Sequence, residues 1–264
     1  MCSSDLYGIM TSPQASAVGR VLSADVAVPE HERVLRFYAS VLTTGDTPLW
    51  REDLMNSEGI PIIGLGERSP AHADLPLQWM PHIQVADVAT SAARAVGRGG
   101  REVMHHRDDS GQSQWAVLSD PNGAAFGIIP EVAPESIPPL ERGRIAWLDL
   151  TVTNAPDTRD FYRDVVGWSS DDVEMEDDEG GYADYVLRTS DGSAVAGVCH
   201  ARGVNRALPP VWLICLPVGD LDASLEHARD QGGEVVDARR DREGTLTYAV
   251  VRDPVGACLA LVPG

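Results

Sequence analysis

The chain repeats itself, and the repeat limits its architecture more than any other feature. Val21–Val28, followed by a helical pattern ending in Phe37-Tyr38, returns as 145–152, followed by a helical pattern ending in Phe161-Tyr162. The offset is 124 residues, so Asp25 matches Asp149. Farther on the offset becomes 133: Gly64 matches Gly197, Trp79 matches Trp212, Asp87 matches Asp220, and Asp120-Pro121 with Gly123 matches Asp253-Pro254 with Gly256. The nine extra residues of the second copy fall in the acidic stretch 171–181, which reads as a solvated loop. Two tandem domains are expected, 19–131 and 144–263, joined by a linker over 132–143 that holds Pro134, Pro138 and Pro139. The first 18 residues carry no positive-then-apolar pattern of a secretory signal and read as an unstructured tail.

Each copy divides again. Segment 21–28 predicts a strand, 29–42 a helix, and 46–52 and 60–66 short strands. Then 78–86 predicts a strand, 88–98 a helix, and 102–106, 114–119 and 124–129 strands. Pro29 opens one helix and Gly99-Gly100 closes another. The unit is a strand, a helix and two or three strands, and it occurs four times. Tight turns such as Asp191-Gly192 favour α+β sheets with helices outside over a doubly wound sheet. Pairs of units are expected to form two cup-shaped, half-closed barrels, each with a pocket on its concave side.

Composition excludes several classes. With 40 acidic and 21 basic residues the net charge is -19, and no basic stripe offsets it, so nucleic acid is not an expected partner. All 21 basic residues are Arg, which removes Schiff-base lysine chemistry, pyridoxal phosphate anchoring and a Walker-type phosphate loop. No apolar run reaches the length of a membrane span. Cys2, Cys199, Cys215 and Cys258 form no CxxC pair, which fits a reduced, cytoplasmic protein. Two fused domains can satisfy pairing internally, so a monomer or weak homodimer is expected.

The ordered motifs are more specific. Trp147-Leu-Asp-Leu150, Asp160-Phe-Tyr162, Val166-Gly-Trp168, Val195-Ala-Gly197, Trp212, Asp220 and Asp253-Pro-Val-Gly-Ala257 recur in both halves. In this succession the chain resembles the vicinal oxygen chelate superfamily, over residues 20–263. Within it the chain is similar to two-domain glyoxalase/bleomycin-resistance/dioxygenase-like proteins of actinobacteria, of the antigen-like or hydroxylase type. The resemblance implies tandem βαβββ modules, four in all, and often a divalent metal held by His or Gln from first strands and Glu from last strands. Those positions here are Ser23, Met80, Trp147 and Leu213, with Gly127 and Ala260 at the Glu positions. They are not a hard-metal ligand set, so neither a metal nor any other cofactor is expected. His105-His106 point to opposite faces of a strand and do not chelate together.

Without a metal, the candidate chemistry is acid–base. Residues two apart in a strand share a face. Asp25 therefore shares one with Ser23, and His82 shares one with Met80; module symmetry makes Asp25 and His82 equivalent and sets them across one cavity as catalytic candidates. The second copy sets Asp149 opposite Cys215, an inert thiol in an apolar run, and Asp149 needs a partner that Tyr248, Tyr185 or an Arg can supply. Trp147, Asp149, Ser23, Met80, Trp115 and His200 are candidate ligand-binding residues, the tryptophans stacking a flat or apolar molecule. Trp79 and Trp212 read as core.

Three functions fit these features. The first is a metal-independent acid–base enzyme, of isomerase, cyclase or lyase type, acting on a hydrophobic oxygenated small molecule in secondary metabolism. The second is a small-molecule binding or drug-sequestering resistance protein. The third is a metal-dependent glyoxalase or dioxygenase.

Overall fold

The computed structural model describes residues 16–133 and 142–264. Most of the expected tail and linker lies outside the described residues. The first half builds β1 (Val21–Val28), α1 (His31–Leu42), β2 (Ile63–Glu67), β3 (Met80–Val85), α2 (Val88–Gly97), β4 (Arg101–Arg107), β5 (Ser113–Ser119) and β6 (Ala125–Pro130). The second builds β7 (Trp147–Val152), α3 (Ala155–Val166), β8 (Ser169–Asp177), β9 (Gly180–Arg188), β10 (Ala194–His200), β11 (Trp212–Val218), α4 (Leu221–Asp230), β12 (Glu234–Arg240), β13 (Leu246–Arg252) and β14 (Cys258–Pro263). The repeated punctuation has repeated roles. Asp87 caps α2 by accepting from the Thr90 amide at 2.7 Å, and Asp220 caps α4 by accepting from the Ala223 amide at 2.9 Å.

The expected half-closed barrels do not form. The first half is an open six-stranded sheet in the order β2-β1-β3-β6-β5-β4, and the second an open eight-stranded sheet in the order β12-β13-β14-β11-β7-β10-β9-β8. Closure requires the outer strands to pair. The outer strands here are charged instead: β8 carries Asp171, Asp172, Glu174, Glu176 and Asp177, and β4 begins and ends in Arg. Charged edges resist further pairing. The acidic stretch expected to be a loop is therefore largely the β8–β9 hairpin. In the first half the strand expected over 46–52 is reduced to one bridge, Trp50 to Asn56, which is why that sheet is smaller.

The helices are not outside. They lie between the two sheets, α1 packed on α4 and α2 on α3. One apolar core takes a face of each sheet together with Phe37, Tyr38, Phe161, Tyr162, Trp79 and Trp212. Crosswise hydrogen bonds tie the copies. The Tyr38 hydroxyl donates to Asp253 Oδ2 at 2.9 Å and accepts from Trp79 Nε1 at 2.9 Å. The Tyr162 hydroxyl accepts from Trp212 Nε1 at 2.8 Å, and beside it Asn122 Nδ2 of the first copy donates to Thr158 Oγ1 of the second at 2.9 Å. The Phe-Tyr motif of each copy thus meets the Asp-Pro-x-Gly turn of the other. The sheet faces turned away from the helices carry two small apolar clusters, Ala27, Leu75, Met80, Val117 and Ala125 in the first half, and Leu208, Leu213, Cys215, Val250, Cys258 and Ala260 in the second. The cavities open there.

Candidate active site

Strand register builds both cavities from one pattern. Each first strand runs parallel to the last strand of its own module, and four pairs lie side by side: Asp25 with Gly64, His82 with Gly127, Asp149 with Gly197, and Cys215 with Ala260. Three modules offer a polar side chain and the fourth the buried thiol of Cys215, and the neighbour is small in each.

The first cavity, of about 400 Å³, is lined by Asp25, His72, Leu75, Met80, His82, Met104, Trp115 and Val117, among others. Asp25 and His82 do not face each other across it. The antiparallel register sets Ser23 beside His82 and Met80 beside Asp25, so the two are diagonal neighbours on β1 and β3. His82 Nε2 lies 3.3 Å from Asp25 Oδ2, and Ser23 Oγ lies 3.0 Å from His82 Nδ1. The imidazole is thereby hydrogen-bonded at Nδ1 and within ion-pair distance of the carboxylate at Nε2, and the tautomer follows from whether Ser23 donates or accepts. Asp25 is 47% exposed, so one end of this chain of groups stays open to a ligand. Trp115 is stacked on His106 at 5.5 Å and forms a wall. His105 points away, bonded to Ser113 and Glu102.

The second cavity, of about 420 Å³, is lined by Trp147, Asp149, Val173, Met175, Asp184, Tyr185, Cys199, Leu208, Arg239 and Tyr248, among others. Of the expected partners, an arginine, Arg239, acts on Asp149 through its charge, but the hydrogen-bond partner is a residue not expected. It is Trp147, whose Nε1 donates to Oδ1 at 2.9 Å. Burial pushes the Asp149 carboxyl up to about 6, against the pull of Trp147 and Arg239 and with the help of Asp184. Arg239 is stacked on Tyr248 at 5.0 Å, donating to Asp237 and Asn205. Burial raises the thiols of Cys199 and Cys215, so neither is a ready nucleophile. His200 does not line the cavity. Its ring Nδ1 lies 3.2 Å from Asp184, and it sits against Tyr182 and Tyr185.

The residues at the metal-ligand positions of the family pattern do not fit a hard divalent ion. Ser23 Oγ is committed to His82, Met80 offers a buried thioether, and Gly127 has no side chain. In the second half Trp147 Nε1 is a donor in use, and Leu213 and Ala260 are hydrocarbon. Among the described residues no three His, Cys, Asp or Glu side chains converge as a metal site.

His72, Met104, Tyr185, Asp184 and Arg239 also line the cavities. Sequence reasoning did not single out His72, Met104, Asp184 or Arg239. Register shifts between Val235 and Asp237, and again between Arg239 and Arg240, break the simple alternation that would have placed Arg239.

Comparison with known proteins agrees with this architecture. A model of the glyoxalase-like domain matches residues 22–129, and a model described as the glyoxalase/bleomycin resistance protein/dioxygenase superfamily matches residues 144–261. The anthracycline biosynthesis protein DnrV of Streptomyces peucetius is 29% identical over 197 residues, 71% of this chain and 66% of that protein, so the match spans just under two thirds of the relative's length. Among solved structures, a catechol 2,3-dioxygenase superposes with a TM-score of 0.53 at 13% identity, covering 94% of each chain. An extradiol ring-cleaving dioxygenase from B. fuscum gives 0.54 at 14% identity, covering 95% of this chain and 73% of its own. Two domain matches in tandem, on a fold shared with extradiol-type dioxygenases, make the chain a member of the glyoxalase/bleomycin resistance/dioxygenase superfamily.

Proposed function

We propose that the chain is an acid–base enzyme for a hydrophobic, oxygenated small molecule, working in its first cavity without a resident metal. The observation that carries this is the imidazole of His82, hydrogen-bonded to Ser23 and 3.3 Å from Asp25, on the floor of a largely apolar cavity. Asp25 takes a proton from a ligand carbon next to a carbonyl, and the C–H electron pair moves to the carbonyl oxygen as an enolate. Ser23 donates to Nδ1, which leaves Nε2–H directed at Asp25 to steady the carboxylate. The proton then returns to a different atom of the conjugated enolate, giving an isomer. Met80, Leu75, Met104, Val117 and Trp115 exclude water and hold an apolar body. The similarity to an anthracycline biosynthesis protein supports a substrate from secondary metabolism. A cytoplasmic location and a monomeric or weakly dimeric state belong to the same proposal. Among the described residues no helix is long and apolar enough to cross a membrane.

A metal-dependent glyoxalase or dioxygenase is the second reading. The fold shared with extradiol-type dioxygenases favours it; the side chains at the ligand positions favour the first. The test is solvent exchange. Wild-type protein is incubated in D2O with a panel of hydroxylated aromatic ketones, and deuterium at carbon is followed by mass spectrometry with and without EDTA. Chelator-resistant exchange that disappears in Asp25→Asn and His82→Ala supports the acid–base reading. Exchange or ring cleavage that requires an added divalent ion supports the metal-dependent reading. Tight retention of a panel member with no turnover would make the protein a binder.

A further inference from the structure

The last strands of the modules carry glycine where no turn calls for it. Gly127 in β6 and Gly197 in β10 have no positive φ; they lie inside paired strands, where a residue without a side chain weakens the ladder. What they do provide is space. A Cβ on Gly127 would stand 2.7 Å from Cδ2 of His82, and a Cβ on Gly197 would stand 2.6 Å from Oδ1 of Asp149 and 3.4 Å from Nε1 of Trp147. Gly64 repeats the arrangement more loosely, 3.3 Å from Cβ of Asp25. Where the first strand carries the buried thiol of Cys215 instead, the neighbour is Ala260.

We infer that Gly127 and Gly197 are positioning residues: each leaves open the space beside its strand so that His82, or Asp149 with Trp147, lies flat across it and points into the cavity. A side chain on the last strand and a polar side chain two residues into the first strand compete for one volume. At Gly127, the position of the family pattern's acidic ligand, this chain has given the volume to the imidazole. The catalytic meaning for His82 rests on the acid–base reading above; the competition for space does not.

The experiment is a pair of double-mutant cycles on the full chain, with thermal unfolding and histidine side-chain nitrogen NMR as readouts. Gly127→Ala is expected to lower the Tm in the wild-type background and to leave it unchanged or raised in His82→Ala, where the clash is gone. Gly197→Ala is expected to behave likewise against Asp149→Ala. In the wild type the His82 nitrogens report one tautomer. In Gly127→Ala they report a mixture, and deuterium exchange falls by about 100-fold through displacement of the ring. If Gly127→Ala alone does not fold, the double variant with His82→Ala still folds on this account. An equal Tm loss in both backgrounds, an unchanged His82 spectrum, or a double variant that fails with the single one overturns the inference. Absence of turnover with an intact coupling would count against the acid–base reading alone.

Discussion

The two cavities share a backbone register and differ in chemistry. In the first, Asp25 and His82 sit half-open to solvent, 47% and 24% exposed, and close to each other. In the second, the equivalent acid is folded back onto Trp147, and its module partner is the buried thiol of Cys215. The backbone decides where a side chain enters, and the hydrogen-bond partner beside it, Ser23 on the adjacent strand for His82 and Trp147 on the same strand for Asp149, decides what it becomes. Ser23 gives His82 a hydrogen-bond partner; Trp147 holds Asp149 inward, where burial weakens the acid against the pull of that hydrogen bond. A repeat in sequence therefore does not imply a repeat in activity.

The sharpest way to break this contrast is by substitution. Asp25→Asn and His82→Ala are each expected to lower deuterium exchange by about 100- to 10,000-fold, while Asp149→Asn leaves it unchanged. Loss in Asp149→Asn alone would move the chemistry to the second cavity.

Asp149 offers a second, smaller test. Its folded carboxyl keeps a proton up to about pH 6, and the unfolded one releases it near 3.9. Its contribution to stability is therefore fully present below about pH 4 and is lost as pH rises through about 6. The expected loss is roughly 2–3 kcal/mol. Urea unfolding of wild type against Asp149→Asn between these pH values should show a difference that grows with pH, the asparagine variant being the more stable above 6. A flat difference would mean that Asp149 is not desolvated.

The crosswise ties should be alike where the cavities differ. Tyr38→Phe and Tyr162→Phe are each expected to cost about 1–2 kcal/mol, because each strips a buried Trp of its partner and Tyr38→Phe strips buried Asp253 as well. Unfolding that stays a single transition in both variants supports one cooperative body. The smallest effect is at Ser23→Ala, about 0.5–1 kcal/mol in stability, with a change in the His82 tautomer visible by NMR and none in the second cavity.

Much of this fold was legible because its punctuation repeats. Asp87 and Asp220 cap helices, and Asp120 and Asp253 each accept from the amides of their own turns. The open sheets were not legible, because closure depends on what the edge strands do, and edge pairing leaves no local pattern. Acidic residues on β8 gave it the composition of a loop while its backbone paired along β9. The contact between Tyr38 and Asp253 joins residues 215 apart and becomes visible only once the helices are seen between the sheets. Asp25 and His82 were found by module symmetry; that they meet side by side on adjacent strands depended on the β1–β3 register. Arg239 was hidden by register shifts in β12.

Native mass spectrometry of protein purified without added metal or chelator, set beside deuterium exchange before and after EDTA treatment, tests the central claim most directly. The account predicts the mass of the bare chain, or of the chain with an organic ligand, and exchange that EDTA does not change. One divalent ion per chain, whose removal abolishes exchange and whose return restores it, would contradict it.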